Sequence, residues 1–257
     1  MKISNILRQA IRPSRSRVML KKLYKRINDT RGERSATENY KWLRENRRSF
    51  SAFAESIDQA LWRESETVAR RITEAADARL REVEYDLGGG GVYPLLYFIT
   101  RLMRPTVVVE TGVAAGYSSA AFLEALEANA HGELYSSDFP YFRIPDPERY
   151  IGIVVDDSVK HRWHLYVEGD ENNLRAIVDE VPAIDLFHYD SDKSYSGREQ
   201  AWDQVRARLA SNAVVLFDDI QDNSFFMDFV GREGREDWYV FEFNDKYIGL
   251  VGTLKRE

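Results

Sequence analysis

The chain has 257 residues, of which 44% are hydrophobic and 30% charged, and its formal net charge is −6. This composition is typical of a globular protein that can bury a sizeable core, and the absence of cysteine excludes disulfides, thiolate nucleophiles and cysteine-based metal sites. The lack of cysteine fits a reducing cytoplasm, and no apolar run approaches the roughly 20 residues that span a bilayer, so we expect a cytoplasmic protein, with a membrane-peripheral location as the alternative.

The N-terminal arm, residues 1–34, carries eleven Lys or Arg and two acids, so its charge is +9 and that of the remaining chain is −15. Such an arm can contact an anionic membrane surface or an acidic partner. It also has the composition of an organellar transit peptide, and the plain alternative is a solvated helix on the acidic body. We do not expect nucleic acid as the partner, because the arm lacks the aromatic platform of a single-strand binder.

Apolar residues at helical spacing over 37–85 predict one or two long helices. With the arm, they form a predicted N-terminal extension, 1–87, which is also a candidate surface for homo-oligomerisation. Four glycines at 88–91 then interrupt the pattern. They indicate a hinge, a loop close to a ligand or a plain connector, and the plain connector is the favoured interpretation. A further helix is predicted over 95–103, with Pro94 in its first turn.

From residue 106 onward, apolar strands alternate with single helices, which indicates a parallel sheet with crossover helices. The last two strands flank a short turn at 244–246, a pattern that predicts a hairpin. The predicted fold is α/β: a doubly wound, Rossmann-like sheet, mostly parallel with a C-terminal antiparallel hairpin strand, in a domain that spans 88–257. Strands are predicted at 106–109, 132–138, 163–170, 183–190, 213–219, 238–243 and 247–254, and helices at 118–128, 172–181 and 197–209.

The segment VVVETGVAAGYSS, residues 107–119, follows a strand with an acid and then places two glycines four positions apart. In an open parallel sheet the ligand binds at the carboxyl ends of the strands. Gly112 and Gly116 would let the backbone approach it there, and Ser118 would lie at the helix start. Glu110 disfavours phosphate and suits an ammonium group or hydroxyls. The spacing differs from the G-x-G-x-x-G motif, although a packing turn could look similar.

This segment resembles the first motif of class I S-adenosylmethionine-dependent methyltransferases. The similarity continues in order through GELYSSD, YVEGD, IDLFHYDSDKSY and AVVLFDDI, within residues 88–254. DSDKSY is similar to segments of cation-dependent catechol- and caffeoyl-type enzymes and of sugar and natural-product methyltransferases. The resemblance implies S-adenosylmethionine as the cofactor. The residues expected to bind it are Glu110 near the methionine ammonium, Gly112, Gly116, Ser118, Asp138 at the ribose and Asp170 at the adenine edge.

Some of these residues have simpler interpretations. Asp138 could be an ordinary turn residue at a strand end, and Asp170 could cap the helix that follows it. The aromatic residues of the irregular stretch 139–163 indicate either a wall of the acceptor pocket or a local core.

Three acids follow two predicted strands: Asp190 the first, and Asp218 and Asp219 the next. The resemblance implies that these strands are neighbours, so that three carboxylates converge, which is unfavourable without a counter-charge. A divalent cation such as Mg²⁺ would supply it, and in the resembling enzymes the metal holds the acceptor oxygen and lowers its pKa. That group usually has Asp-Asn where this chain has two Asp residues. The alternative is that Asp218 or Asp219 caps a loop and Asp190 works alone.

Asp190 and Lys193 are the predicted catalytic residues. Lys193 is the only nearby cation that the sequence offers, and beside carboxylates it should stay protonated. It would serve as an electrostatic partner of the acceptor oxygen or form a salt bridge with Asp192. His188 is predicted to be structural.

The motifs together predict an O-methyltransferase that acts on a hydroxyl of a small molecule, a sugar or natural product, with a divalent cation. One alternative is a nicotinamide-dependent oxidoreductase, which the turn spacing disfavours. The other is a non-catalytic protein that docks on a membrane or partner and has a vestigial cofactor pocket, which the acids Glu110, Asp138 and Asp190 disfavour.

Overall fold

The computed structural model of the chain describes residues 36–141 and 144–254. The basic arm 1–34 lies outside these residues, so its predicted contacts with membranes, partners or further copies stay predictions. The boundary predicted between residues 87 and 88 also stays a prediction. Among the described helices, none is both long enough and apolar enough to cross a bilayer.

Among the described residues, three helices precede the first long strand. Helices α1 (Ala36–Asn46) and α2 (Phe50–Leu80) confirm the prediction of one or two helices over 37–85, and a two-residue strand, β1 (Arg47–Arg48), separates them. The backbone of α2 is non-helical at Asp58, whose Oδ1 accepts a hydrogen bond from the N–H of Leu61 at 3.0 Å. Asp58 therefore acts as an internal helix cap at this kink. Helix α3 (Tyr93–Met103) begins with Pro94 in its first turn, as predicted.

The later strands are β2 (Val107–Thr111), β3 (Glu133–Ser137), β4 (Trp163–Tyr166), β5 (Ile184–Tyr189), β6 (Leu209–Phe217), β7 (Trp238–Phe243) and β8 (Lys246–Val251). Together with β1 they form one sheet among the described residues, with the order β1-β7-β8-β6-β5-β2-β3-β4. Strands β2 to β6 pair in parallel, and β8 lies antiparallel between β6 and β7. This arrangement confirms the predicted mostly parallel sheet with an antiparallel hairpin strand. The helices are α4 (Tyr117–Asn129), α5 (Asp170–Glu180), α6 (Tyr195–Val205) and α7 (Phe225–Arg232).

Several predicted boundaries were wrong. The strand predicted over 163–170 ends at Tyr166, and Asp170 already begins α5. The helix predicted over 197–209 ends at Val205, and after a short 3-10 turn Leu209 already begins β6. No Gly or Pro separates the two elements, so the local pattern gave no stop signal. The hairpin turn has two residues rather than three: Asn244 and Asp245 both have positive φ, 49° and 62°, as a type I′ turn requires.

Side chains alternate across the sheet and bury a core on each face. Within β2, Val108 joins the cluster beneath α2, α3 and α4, whereas Val107 and Val109 join the cluster beneath α1, α5, α6 and α7. The sheet is thus covered on both sides, which explains its continuous apolar strands.

The irregular stretch between β3 and β4 belongs mainly to the core. Tyr150 and Val154 are buried in the cluster beneath α4, and Tyr141 and Trp163 pack against it. Of the two interpretations of this stretch, the local core is the one that these contacts support.

Candidate active site

The carboxyl ends of the parallel strands meet at one edge of the sheet, and the residues just beyond them stay hydrogen bonded. Gly112 donates to the carbonyl of Ser137 at 2.8 Å, and Asp190 donates to that of Thr111 at 3.0 Å. In the same way, the N–H of Asp218 donates to the carbonyl of Tyr189 at 2.9 Å. The backbone therefore brings the predicted turn and the predicted acids to one edge of the sheet.

The glycine turn, residues 112–116, joins β2 to α4. Gly112 has φ 84°, and a Cβ at this position would overlap the carbonyl oxygen of Asp190. Gly116 has φ 99° and lies against Gly152, to whose Cα a Cβ would approach within 2.8 Å. Both positions therefore require glycine, because at both the backbone packs closely against another segment. The turn and the segment that carries Asp190 are in direct contact.

Glu110 lies fully buried beneath the start of α4. Its carboxylate accepts hydrogen bonds from the hydroxyls of Ser118 at 3.0 Å, Ser136 at 2.7 Å and Ser119. Burial raises the pKa of Glu110 to about 7, and the three hydroxyls only partly oppose that rise. Glu110 thus connects β2 to β3 and to the first turn of α4. Its predicted contact with a cofactor ammonium stays a prediction.

Asp138 and Asp170 also connect strand ends. Asp138 accepts from the N–H groups of Ala114 at 2.9 Å and Phe139 at 2.6 Å. Asp170, the first residue of α5, accepts from the hydroxyls of Ser137 at 2.7 Å and Ser191 at 2.5 Å. The helix cap itself is Gly169, so Asp170 is not the capping residue. The roles predicted for both acids in binding the cofactor stay predictions.

Asp190, Asp218 and Asp219 converge as predicted, and we call these three residues the acid corner. The Lys193 ammonium lies among them, in contact with Asp190 Oδ1 and 2.8 Å from Asp219 Oδ2. Lys246, at the start of β8, places its Nζ 3.3 Å from Asp219 Oδ1. The expectation that Lys193 is the only nearby cation was therefore wrong. It failed because Lys246 is distant in sequence and reaches the site through the hairpin.

The three carboxylates differ in environment. Asp218 is 1% exposed, and its Oδ2 has no hydrogen-bond partner among the described residues. Burial raises the pKa of Asp218. Burial also opposes ionisation of Asp219, but the attraction of Lys193 outweighs it and lowers the pKa. Burial lowers the pKa of Lys193 against the opposing attraction of Asp219. Asp218 is thus the carboxylate of this corner whose charge is least compensated.

The guanidinium of Arg198, on α6, is fully buried and binds the backbone of the acid corner and of Lys193. It donates to the carbonyl oxygens of Asp218 at 2.9 Å, Asp219 at 2.7 Å and Lys193 at 2.5 Å. The structure pairs Lys193 with Asp190 and Asp219 rather than with Asp192, whose Oδ1 accepts from the N–H of Ser194 at 3.1 Å.

His188 lies beside Glu110 in the register of β5 and β2. It is fully buried, packs edge-on against Phe122 with the ring centroids 5.7 Å apart, and has no hydrogen-bond partner for either ring nitrogen among the described residues. Burial lowers the pKa of His188 to about 3, so the ring is neutral at physiological pH. Its contacts match the predicted structural role.

Several solved structures with the same architecture are methyltransferases. The O-methyltransferase TomG from Streptomyces achromogenes, in complex with S-adenosylmethionine, is 17% identical with a TM-score of 0.52, and the match covers 71% of this chain and 89% of that chain. An O-methyltransferase from Bacillus cereus, in complex with S-adenosylhomocysteine, is 12% identical with a TM-score of 0.51 and coverages of 73% and 91%. A methyltransferase from Geobacter sulfurreducens is 19% identical with a TM-score of 0.52 and coverages of 71% and 90%. At these identities the likeness establishes the fold.

The sequence itself matches the model of a family described as a methyltransferase domain over residues 109–220. Residues 109–220 are thus similar to a methyltransferase domain, and the sheet has the fold of the solved methyltransferases. No curated protein sequence matches the chain. The matched segment of the methyltransferase domain begins in β2 and ends just after the acid corner, so it contains the glycine turn and all three acids.

Four residues contact the site but were not among the predicted site residues: Ser119, Ser136, Arg198 and Lys246. Ser119 adjoins Ser118 in the first turn of α4, so the paired hydroxyls were a usable signal. The other three carry no local signal, because their positions depend on strand order and helix packing.

Proposed function

We propose that the methyltransferase domain transfers a methyl group from S-adenosylmethionine to a hydroxyl of a small molecule, a sugar or natural product, at the acid corner. The observation that carries this proposal is the direct contact between the glycine turn and Asp190, which joins the predicted cofactor half of the site to the acid corner. In the reaction an acceptor oxygen forms a bond to the methyl carbon while the carbon–sulfur bond breaks. The sulfur leaves with the electron pair, and the acceptor proton is lost.

The roles that we assign to the chain are positioning and charge compensation. Asp190, 17% exposed in its side chain, would orient the acceptor hydroxyl and accept its proton. Lys193 would balance the negative charge that develops on the acceptor oxygen. Fixing the oxygen in line with the methyl carbon is the larger task, because the transfer is mainly a problem of geometry.

The decisive experiment pairs labelled S-adenosylmethionine with cell extract and the purified protein, followed by identification of the labelled product. A methyl ether on a small molecule supports the proposal. Label that appears only on nitrogen, or only on protein or nucleic acid, would contradict it.

The first prediction concerns cofactor binding. Gly112→Ala should abolish measurable binding of S-adenosylhomocysteine in calorimetry, because the methyl group would both strain a residue at φ 84° and overlap Asp190. Gly231→Ala, where a Cβ meets no atom of the described residues within 4 Å, is the matched control and should bind as the wild type does. The wild type should not bind NAD. Binding of NAD instead of S-adenosylhomocysteine would favour the oxidoreductase alternative.

We further propose that a divalent cation binds at the acid corner. The donor chemistry fits Mg²⁺, since all three side chains offer carboxylate oxygens and Asp218 Oδ2 lacks a partner among the described residues. No three described His, Cys, Asp or Glu side chains are already arranged around a metal position, and Lys193 contacts two of the three acids. Cation binding therefore requires Lys193 to withdraw, and the cation would then take over the charge compensation that we assign to Lys193 in the metal-free site. When bound, the cation would hold the acceptor oxygen and lower its pKa.

The second prediction tests this cation. EDTA should remove activity, and added Mg²⁺ should restore it. Asp219→Asn removes a charge but keeps an oxygen ligand, so it should weaken Mn²⁺ binding by about tenfold and leave S-adenosylhomocysteine binding within about twofold. Electron paramagnetic resonance and calorimetry measure the two affinities. Full activity of the metal-stripped protein in EDTA would show that the two lysines suffice for charge balance.

A further inference from the structure

The clamp segment, residues 152–156, is the part of the irregular stretch between β3 and β4 that binds the glycine turn. The N–H of Gly152 donates to the carbonyl of Ala114 at 2.9 Å, and the N–H of Val154 donates to that of Ala115 at 2.9 Å. Two backbone hydrogen bonds therefore join the clamp segment to the middle of the glycine turn.

Arg79, in the last turn of α2, binds the same segment from a distant part of the chain. Its Nη1 donates to the carbonyl of Val154 at 2.5 Å, and its Nη2 lies 2.7 Å from Asp156 Oδ2. Val154 is buried, and its own N–H is the one bound to Ala115. One buried residue thus connects a helix of the N-terminal extension to the glycine turn.

Of the two contacts that Arg79 makes, the bond to the Val154 carbonyl is the more important. The side chains of Arg79 and Asp156 are 33% and 54% exposed, and ion pairs at such exposure contribute little. The carbonyl belongs to a buried residue and accepts from a charged donor, which makes a stronger hydrogen bond than a neutral donor does. Loss of the guanidinium would leave this carbonyl without that donor.

The glycine turn is held differently along its length. Its N–H groups bind strand β3 and the residue after it: Gly112 donates to the carbonyl of Ser137, and Ala114 donates to Asp138 Oδ2. The carbonyls of Ala114 and Ala115 accept from the clamp segment instead. The conformation of the middle of the turn therefore depends on where the clamp segment lies.

We infer that Arg79 is a positioning residue for cofactor binding, which acts through Val154 to keep the glycine turn in the conformation that the cofactor needs. The inference rests on the proposed function, which places S-adenosylmethionine at this turn. A turn that is ordered before the ligand arrives binds it more tightly, because less freedom is lost on binding. The helical extension would then belong to the scaffold of the cofactor site, although Arg79 lies outside the segment 109–220 that is similar to a methyltransferase domain.

Two arginines on α2 supply a matched test. Arg79→Ala should weaken binding of S-adenosylhomocysteine by about tenfold in calorimetry. Arg79→Lys keeps a charged donor, so its affinity should lie within about threefold of the wild type. Arg71→Ala is the control, because Arg71 pairs with Glu124 Oε2 at 2.6 Å on the same helix, and its affinity should stay within about twofold. Equal affinities of Arg79→Ala and the wild type, or an equal loss in Arg71→Ala, would overturn the inference.

Hydrogen exchange at single amides separates positioning from a general loss of stability. In Arg79→Ala the amides of Gly152 and Val154 should exchange at least about tenfold faster than in the wild type, whereas those of β5 should be unchanged. Equal acceleration at all of these amides would overturn the inference. Failure of the wild type to bind S-adenosylhomocysteine would overturn the proposed cofactor and the inference with it, whereas unchanged affinity in Arg79→Ala would overturn the inference alone.

Discussion

Asp190→Asn is expected to lower methyl transfer at least about a hundredfold, the usual scale for loss of a positioned acid–base group. The substitution keeps the shape of the side chain and its backbone hydrogen bond to Thr111. It removes the negative charge that contacts Lys193. Affinity for S-adenosylhomocysteine should stay within about twofold, since the change acts on the acceptor half of the site. Transfer of labelled methyl groups and calorimetry measure the two effects.

Asp185→Asn is the matched control for this variant. Asp185 lies near the opposite end of the same strand, where its Oδ2 accepts from the N–H groups of Thr106 at 2.8 Å and Val107 at 3.0 Å. Asparagine retains an acceptor oxygen there, so activity should remain near that of the wild type. If both variants lost activity equally, the effect would lie in the stability of β5, and Asp190 would have no special role in catalysis.

The effect of Glu110→Gln on the free energy of unfolding is expected to change with pH. Burial raises the pKa of Glu110 from 4.5 to about 7. Between pH 4.5 and about pH 7, Glu110 is protonated in the folded protein and ionised in the unfolded chain. The contribution of Glu110 to the free energy of unfolding is therefore present at low pH and is lost as the pH rises through about 7. The loss amounts to about 3 kcal/mol. Glutamine does not ionise, so the variant should gain stability relative to the wild type between pH 5 and pH 8.

Urea denaturation of both proteins at several pH values measures this difference directly. Ser119→Ala is the control, because it removes one hydroxyl donor and leaves the ionisable group in place. That variant should be less stable than the wild type at every pH, and its free energy of unfolding should still vary with pH because Glu110 still ionises. Parallel stability curves for Glu110→Gln and the wild type would mean that the pKa of Glu110 is not raised by burial.

The fold was predictable because its signals are local. Alternating apolar strands and helices indicate a parallel sheet, and the carboxyl ends of parallel strands meet at one edge. That reasoning placed Gly112, Asp138 and Asp190 at the same edge. The end of α6 was missed, since the apolar pattern continues into β6 without a breaking residue.

The charge balance of the acid corner was not predictable. Lys246 reaches Asp219 only because β8 inserts between β6 and β7, and periodicity within one segment does not reveal strand order. The choice of Lys193 between Asp190 and Asp192 depends on a loop conformation that Arg198 fixes from the helix that follows the loop. The close packing of Gly91 against Asp218 likewise joins positions that are more than a hundred residues apart in the sequence.

Arg198 fixes the backbone of the acid corner without contacting the side chains that carry its charge. Its three hydrogen bonds go to peptide carbonyls, which every amino acid possesses, so they do not depend on the side chains at positions 193, 218 and 219. Substitution of Asp218 or Asp219 therefore changes the charge and the donor atoms of the site, while Arg198 still holds the two loops that carry Lys193 and the two acids. The same frame could therefore present a different set of side chains, one residue at a time, without being rebuilt.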